Sequence, residues 1–380
     1  MSQQDRGSVI DGFLDQHGWG SAAREKLVDD ASARKYFRLG RGFETALLMD
    51  FPPNAVSIDP HGVSDIPERL ASIAPVLQTT TLFTDLGWRV PEVLAHDVAN
   101  GLALIEDFGD LTFTRALAMG SIVPASLYIR ATDALITLHR GCDVMAAGAA
   151  GANAANGAKG ELSQAMAGLV TYQPANLRRQ LASFGRDYLP LVIADDARRG
   201  HAMQEFDDLL DHVLPQCFDA GQTIIHRDYH VDNLMLVDTD DGDADCGIID
   251  FQDAAIGPRP YDLVSLLRDV RHDVGIDIER TMMARYLAAF PEIDETAFNR
   301  AYIATGMVRN FRILGRFGWL ARESGKMRYL EFVPRCWELI LRGAQQNLPE
   351  LADWVENHIP ASARLAPVIP NDNSQPWTGK

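Results

Sequence analysis

Apolar residues recur at intervals of three and four along residues 203–218, which places them on one face of a helix. They are Phe206, Leu209, Leu210, Val213, Leu214 and Phe218. The pattern predicts a helix with one buried stripe, and Gly221 is a natural residue at which it ends. The same periodicity predicts further helices over 127–139, 261–272, 278–289, 296–322 and 327–345.

Short apolar runs bounded by turn residues predict strands early in the chain. Two hairpins are expected, one around Gly40-Arg41-Gly42 and one around Asn100-Gly101. Their strands are Lys35–Leu39, Thr45–Met49, Glu92–His96 and Leu102–Glu106. Helices are predicted over 8–20 and 67–86, with a loop over 54–66. Strands therefore dominate the beginning of the chain, and helices dominate the remainder.

Two segments lack the side chains that a packed core requires. Residues 146–160 consist of Ala, Gly and Asn with one Lys, which predicts a flexible surface insert within one domain. The residues after Pro360 are polar and rich in proline, which predicts a mobile tail.

The charge of the chain limits its partners. Its 380 residues carry a formal net charge of −17, and a surface this acidic repels nucleic acid and anionic membranes. It also repels ATP, unless basic residues cluster where the phosphates bind. Four scattered cysteines favour a reduced, cytoplasmic setting over a disulfide scaffold or a zinc site. We infer neither export nor membrane spanning, because no apolar run has the required length.

One segment carries most of the chemical information. Asp228 precedes Asn233 by five positions in His-Arg-Asp-Tyr-His-Val-Asp-Asn, and Asp250 follows the apolar run Cys246–Ile249. This run and Leu234–Val237 predict two buried strands joined by an acidic turn. Asp250 would therefore lie at a strand end, where an oxygen ligand for a metal is useful.

This order of residues suits phosphoryl transfer. Asp228 would accept or orient the proton of the attacking hydroxyl, and Asn233 and Asp250 would hold Mg²⁺ on the phosphates of a nucleotide. The hard cation needs oxygen ligands, and the attacking hydroxyl needs a carboxylate that is not bound to metal. The alternative is a helix-capping aspartate beside a core histidine.

The chain resembles the aminoglycoside phosphotransferase-like kinases, which share the protein-kinase fold. Within that group it is most similar to the bacterial anomeric kinases of N-acetylmuramic acid and N-acetylglucosamine. The resemblance extends across most of residues 25–345. It is carried by Asp30–Arg38, Met49–Pro53, Ile225–Met235, Ile249–Pro258, Tyr261–Asp269 and Arg309–Phe317.

The resemblance implies an α+β, two-lobed, protein-kinase-like fold. A small β-rich N-lobe that binds the nucleotide would cover residues 1–106. A larger, mostly helical C-lobe with the catalytic and sugar-binding residues would cover 107–360, interrupted by the insert at 146–160. Residues 361–380 would form the mobile tail.

The resemblance also implies a nucleotide site in the first lobe. Backbone groups near Glu106 and Phe108 would bind the adenine edge, although a strand that simply ends in a turn is the alternative. Ser32 would bind phosphate oxygens from the turn at residues 30–33. The strand Ala46–Met49 lacks the lysine that normally neutralises the phosphates. Arg34 and Arg38 are the expected replacements, because alternate residues of a strand share a face.

A second group of residues is expected around the acceptor. His226, Arg227 and Asp262 would support the catalytic loop, and His230 would contact the phosphate, the sugar or the residues behind them. Arg309, Arg312 and Arg316 share one helix face and would bind the carboxylate of N-acetylmuramic acid. A solvated or salt-bridged helix face is the alternative for these arginines.

The expected reaction is therefore ATP-dependent phosphorylation of an N-acetylated amino sugar at its anomeric hydroxyl, in the recycling of cell-wall sugars. Two alternatives remain open at this point. One is a phosphotransferase acting on aminoglycosides or another small hydroxyl compound. The other is a nucleotide-binding pseudokinase, for which the missing strand lysine is the only support.

Overall fold

The first unit of the structure is built on an antiparallel sheet with the strand order β1-β2-β3-β5-β4. The computed structural model describes residues 3–27, 34–53, 72–151, 168–238 and 244–365. Contacts divide the chain into two compact units, Met1–Val170 with Val231–Ala254, and Thr171–His230 with Ala255–Lys380. Each unit combines two separate segments of the chain, so the units do not correspond to the two continuous lobes expected from the sequence. The boundaries of those lobes stay a prediction.

Short turns connect the second strand to the third and the fourth strand to the fifth. The bounds of the five strands are β1 Ala23–Lys26, β2 Lys35–Arg41, β3 Glu44–Asp50, β4 Val93–Asp97 and β5 Leu102–Glu106. In the register, Arg38 pairs with Leu47 and Leu47 pairs with Ile105, so these three residues share one face. The β2–β3 and β4–β5 hairpins confirm the two hairpins predicted from the sequence.

The sheet buries apolar residues on both of its faces. One face packs Leu39, Ala46 and Leu48 against helix α1, Gln3–Gln16. The opposite face packs Met49 and Ala103 against the start of helix α2, Ala74–Asp85. Because successive strand residues point to opposite sides, the alternating pattern of β3 serves both layers.

A third hairpin also belongs to the first unit. Strand β8, Leu234–Asp238, pairs with β9, Ala244–Ile248, and Leu234 lies opposite Ile248. This hairpin follows the prediction made from the two apolar runs. Two more helices belong to the unit: α3 covers Phe113–Met119 and α4 covers Pro124–Gly151.

The second unit is mainly helical. Its strands β7, Gln222–Ile225, and β10, Ala255–Pro258, pair in a small sheet with the order β6-β10-β7, in which β6 is Val170–Thr171. The helices are α5 Pro174–Ser183, α6 Leu189–Val192, α7 Asp196–Gln216, α8 Tyr261–Leu267, α9 Ile276–Ala289, α10 Glu295–Ser324, α11 Val333–Asn347, α12 Pro349–His358 and α13 Ala361–Leu365. A π-helical turn covers Phe184–Tyr188, and a 3₁₀ helix covers Met327–Phe332.

Aromatic side chains form the centre of this helical unit. The ring of Phe184 lies 4.9 Å from that of Phe311 and 5.3 Å from that of Phe206. Trp337 and Trp354 close the cluster from α11 and α12. Phe206 belongs to the predicted stripe of α7, and its exposed surface is 0%. The periodicity therefore identified the buried face of that helix correctly.

Several predicted boundaries differ from the structure. The first helix begins at Gln3 and ends at Gln16, α8 ends at Leu267, and residues 327–332 are 3₁₀ rather than α-helical. Helix α4 continues to Gly151 into the predicted insert, and 152–160 lie outside the described residues. The predicted tail begins with the short helix Ala361–Leu365, and 366–380 also lie outside them, as do 54–66 and 67–71. Among the described residues, every helix is too short or too polar to span a bilayer.

Candidate active site

The loop that carries Asp228 begins directly after β7 in the second unit. Asp262, in the first turn of α8, accepts hydrogen bonds from the N–H of His226 at 2.6 Å and from the N–H of Arg227 at 3.0 Å. The φ of Arg227 is 81°, a left-handed conformation that is costly for a residue with a side chain. One buried carboxylate thus holds two successive peptide groups of the loop in the geometry that presents Asp228.

His226 supports the same loop through its ring. Its Nδ1 accepts a hydrogen bond from the N–H of Asp228 at 3.3 Å, and the residue is fully buried. The guanidinium of Arg227 lies 5.3 Å from the centre of the Tyr172 ring. The structure therefore places His226, Arg227 and Asp262 where residues that fix the loop are expected.

Positive charges surround the Asp228 carboxylate in this unit. Burial favours its neutral form, but the positive charge around it, that of Arg312 first, outweighs burial and lowers the pKa of Asp228. The Arg312 Nη2 lies 3.9 Å from the Asp228 Oδ1, and half of the Asp228 side chain remains exposed. Asp228 is therefore ionised and open to an acceptor at neutral pH.

Asp262 has the opposite tendency. Burial raises the pKa of Asp262 to about 6, while the charge of His226 and the two N–H donors oppose this increase. The different environments of the two aspartates therefore shift their pKa values in opposite directions. Asp228 stays ionised, and Asp262 takes up a proton in mildly acidic solution.

The three arginines of helix α10 lie in different surroundings. Arg309 is 4% exposed, and among the described residues its Nε and Nη1 have no hydrogen-bond partner. The guanidinium of Arg312 lies 5.9 Å from the Tyr261 ring as well as near Asp228. Arg316 lies 4.8 Å over the ring of Trp319. Of the three arginines predicted to share one helix face, Arg309 is therefore almost fully buried, Arg312 lies near Asp228, and Arg316 stacks on Trp319.

His230 follows the catalytic loop and is buried. Its N–H donates to the carbonyl oxygen of Asp228 at 3.1 Å. Burial and the positive charge of Arg271 lower the pKa of His230 to about 4, so the imidazole is neutral under physiological conditions. A contact of the His230 ring with the phosphate or the sugar stays a prediction.

In the first unit, Asn233 and Asp250 lie at the same end of the β8–β9 hairpin. Asn233 directly precedes β8, and Asp250 follows β9 by two positions. The N–H of Ile249 donates to the Asn233 carbonyl oxygen at 3.1 Å, which ties the two flanks together. Asp250 has a φ of 62°, and its Oδ1 accepts from the Gln252 Nε2 at 2.8 Å. The hairpin therefore presents an amide oxygen and a carboxylate from one edge.

These two residues fit a hard divalent cation. Both supply oxygen ligands, and Mg²⁺ is typically held by one or two protein groups together with water and phosphate oxygens. Within the described ranges, no group of three His, Cys, Asp or Glu side chains could hold a metal by itself. The donor set therefore suits a cation that arrives with a nucleotide better than a cation caged by protein ligands.

The segment after β5 is fixed by contacts within the first unit. Arg89 forms a two-pronged ion pair with the carboxylate of Glu106, and the N–H of Glu106 donates to the Glu92 carbonyl oxygen at 2.9 Å. Phe108 lies 4.6 Å from the Arg89 guanidinium on one side and against Gly247 on the other. The N–H of Glu106 is thus occupied within the first unit, and the adenine contact near Glu106 and Phe108 stays a prediction.

Arg38 is held by the same segment. Its Nε lies 2.7 Å from Asp107, its Nη1 donates to Asp110 at 3.0 Å, and its Nη2 donates to the Gly109 carbonyl oxygen at 3.1 Å. A phosphate contact would require Arg38 to leave these acceptors, so that contact stays a prediction. Arg34 precedes β2, and Ser32 lies outside the described residues.

Comparison with known proteins decides the family. The sequence profile of the phosphotransferase enzyme family known as APH matches residues 24–298. The chain belongs to this family. Its members transfer phosphoryl groups, so the protein is a phosphotransferase with ATP as co-substrate and, typically for the family, a divalent metal ion.

Individual members of the phosphotransferase family are similar over nearly the whole chain. An N-acetylmuramate/N-acetylglucosamine kinase from Caulobacter vibrioides is 32% identical over 367 residues, covering 93% of this chain and 96% of that protein. A kinase of the same name from Pseudomonas aeruginosa is 28% identical and covers 88% of each chain. The structure of a mutant aminoglycoside 2′-phosphotransferase IIIa with GDP superposes with a TM-score of 0.56 at 16% identity, covering 91% of this chain and 99% of that one. The protein-kinase-like α+β fold is thereby confirmed.

Several residues that contact the candidate site residues or their chain neighbours were not singled out from the sequence. They are Arg89, Asp107, Thr114, Asp232 and Gln252. Each is recognisable only by its contact with another residue, because none belongs to a known motif position. Arg89, for example, contacts Glu106, which is seventeen positions away in the sequence. A signal existed only for Asp232, which is adjacent to the predicted ligand Asn233.

Proposed function

We propose that the protein is an ATP-dependent sugar kinase that phosphorylates the anomeric hydroxyl of N-acetylmuramic acid, N-acetylglucosamine or both. The observation that carries this proposal is the arginine-rich surrounding of Asp228, which suits an acceptor with a carboxylate. The names of the relatives from Caulobacter vibrioides and Pseudomonas aeruginosa support the same acceptors. The reaction would belong to the recycling of cell-wall sugars in the cytoplasm.

The residues would share the chemistry as follows. Asp228 would orient the sugar hydroxyl and accept its proton as the oxygen bonds to the γ-phosphorus and the bond to the ADP oxygen breaks. Because the transition state is loose, orientation matters more than early proton removal, which agrees with the low proton affinity of this carboxylate. Asn233 and Asp250 would hold Mg²⁺, which neutralises charge on the phosphates when bound.

Arg309 and Arg312 would bind the acceptor from helix α10. Two buried nitrogens of Arg309, Nε and Nη1, have no hydrogen-bond partner among the described residues, which is costly, and a substrate carboxylate would compensate that cost. Arg316 was predicted to join them, but its stacking on Trp319 makes a contribution to surface packing the stronger role. The same positive charges disfavour aminoglycosides, which are polycations.

A coupled assay of ADP release tests the proposal directly. The acceptors are N-acetylmuramic acid, N-acetylglucosamine, kanamycin, choline and a sample without acceptor. We expect turnover with the acetylated sugars alone and a decrease of about 10²–10⁴-fold in kcat for Asp228→Asn. Asp277→Asn, an exposed aspartate of the second unit, is the matched control and should leave the rate unchanged. Turnover with kanamycin alone, or ADP release that is independent of any acceptor, would reject the proposal.

A further inference from the structure

A threonine from helix α3 contacts the residue next to the proposed metal ligand Asn233. The Thr114 Oγ1 donates a hydrogen bond to the Asp232 Oδ1 at 2.5 Å, and the Thr114 N–H donates to the Val231 carbonyl oxygen at 3.2 Å. These residues are separated by more than one hundred positions in the sequence but belong to the same compact unit. A hydrogen bond from a hydroxyl to a carboxylate is among the stronger neutral-to-charged contacts in proteins.

The contact is part of a longer antiparallel arrangement. The N–H of Leu236 donates to the Leu111 carbonyl oxygen at 2.9 Å, and Thr112 forms a bridge with Met235. The segment before α3 therefore follows the chain on both sides of Asn233. On the other flank, the Asn233 carbonyl oxygen accepts from Ile249. Asn233 itself is thus enclosed between two fixed backbone segments.

The side chain of Asp232 adds a side-chain hydrogen bond to these backbone contacts around Asn233. Asp232 and Asn233 share one peptide group, and its rotation affects the conformation of both residues. A carboxylate held by Thr114 limits that rotation, because its Cα cannot turn without breaking the hydrogen bond. The direction of the Asn233 side chain depends on the same peptide group.

We propose that Thr114 is a positioning residue for the metal ligand Asn233 and acts through Asp232. The proposal rests on the proposed function, in which Asn233 binds Mg²⁺ together with the nucleotide. Loss of the Thr114 hydroxyl should loosen the ligand and weaken metal binding without removing any group that touches the metal. Supporting residues of metal sites typically contribute 10–100-fold to affinity, so an effect of about tenfold is expected.

The test is a titration of Mn²⁺, followed by electron paramagnetic resonance, into the full-length protein saturated with ADP. Thr114→Val keeps the β-branched shape and removes the donor, and it should raise the dissociation constant for Mn²⁺ about tenfold. Thr114→Ser keeps the donor and should restore the parental value to within about twofold. The matched control is Thr81→Val, whose exposed hydroxyl donates to the Leu77 carbonyl oxygen on helix α2 of the same unit.

The outcomes separate this proposal from the one on which it rests. If Asn233→Ala leaves Mn²⁺ binding unchanged, the metal assignment of the proposed function is wrong. If Asn233→Ala weakens Mn²⁺ binding but Thr114→Val does not, the positioning role is wrong. An equal loss in Thr114→Ser and Thr114→Val would also overturn it, because the hydroxyl would then be irrelevant. If Thr114→Val does not fold, Thr114→Ala, which also removes the hydroxyl donor, tests the same contact and should weaken Mn²⁺ binding as well.

Discussion

The carboxylate of Asp262 accepts a hydrogen bond from the backbone N–H of Arg227 at 3.0 Å while Arg227 has a φ of 81°. A left-handed backbone at a residue with a side chain costs about 1–3 kcal/mol, and this contact offsets part of that cost. The strain is located one residue before Asp228. The geometry of the proposed catalytic loop therefore depends on the protonation state of a residue on a different element, helix α8.

The first prediction concerns this dependence on pH. Since burial raises the pKa of Asp262 to about 6, the carboxyl becomes protonated below that pH and supports the two N–H groups less well. We expect kcat/KM to fall about tenfold per pH unit below pH 6, while Asp228, with its lowered pKa, stays ionised. Because a raised folded-state pKa favours the protonated folded chain, this group does not cause unfolding between pH 5 and 6.

The measurement is a pH–rate profile with circular dichroism recorded at each pH. Asp262→Asn should be less active at neutral pH and should lose the acidic decline. An unchanged acidic decline in Asp262→Asn would show that a different group titrates.

The second prediction concerns the packing of Phe108 against Gly247. A Cβ on Gly247 would lie 2.8 Å from the Phe108 ring and 2.5 Å from Val237. We expect Gly247→Ala to lower the free energy of unfolding by about 1–3 kcal/mol and to raise the KM for ATP, because the predicted adenine contact would shift. Gly40→Ala is the matched control, since a Cβ at that strand position meets no atom within 4 Å. If Gly247→Ala and Gly40→Ala have equal KM values for ATP, Phe108 does not contribute to nucleotide binding.

The third prediction concerns Arg38 and Asp107. The Arg38 Nε lies 2.7 Å from the Asp107 Oδ2, and the Asp107 side chain is almost fully buried. The two side chains are therefore expected to depend on each other. We expect Arg38→Ala and Asp107→Ala to change the KM for ATP by similar factors, and the double variant to be no worse than either alone. Arg41→Ala, in the same strand but paired with Glu44, is the control. If Arg38→Ala raises the KM strongly and Asp107→Ala does not, Arg38 binds phosphate as the sequence predicted.

The fourth prediction separates the three arginines of helix α10. Arg309→Met and Arg312→Ala should lower kcat/KM for N-acetylmuramic acid by about tenfold or more, because each removes a charged hydrogen-bond donor from the carboxylate. The loss with N-acetylglucosamine should be smaller, since that sugar has no carboxylate. Arg316→Ala serves as the control because its guanidinium stacks on Trp319. Equal decreases in kcat/KM for both sugars would mean that Arg309 and Arg312 support the loop that carries Asp228 and do not bind the carboxylate.

The sequence allowed the elements around the candidate site to be predicted where the information is local. Asn233 and Asp250 lie at one end of a hairpin because two apolar runs and an acidic turn fall between them, and the hairpin pairs as expected. The stripe of α7 follows in the same way from periodicity. The 3₁₀ helix at 327–332 could not be distinguished from an α-helix, because both repeat apolar residues at short intervals.

Contacts between distant segments could not be predicted. Arg38 was assigned to phosphate from strand alternation alone, but its partners Asp107 and Asp110 depend on how β2 lies in the sheet. Thr114 and Asp232 come from separate elements, and no motif connects them. The residues that perform chemistry are concentrated in short motifs, whereas the residues that position them are determined by packing.

The most direct test of the whole account is phosphorus NMR of the product formed from ATP and N-acetylmuramic acid, with the parent protein and with Asp228→Asn. The account predicts a sugar phosphate whose phosphorus couples to the anomeric H1, formed by the parent and reduced about 10²–10⁴-fold in the variant. A phosphate on another hydroxyl, or equal product from Asp228→Asn, would contradict it.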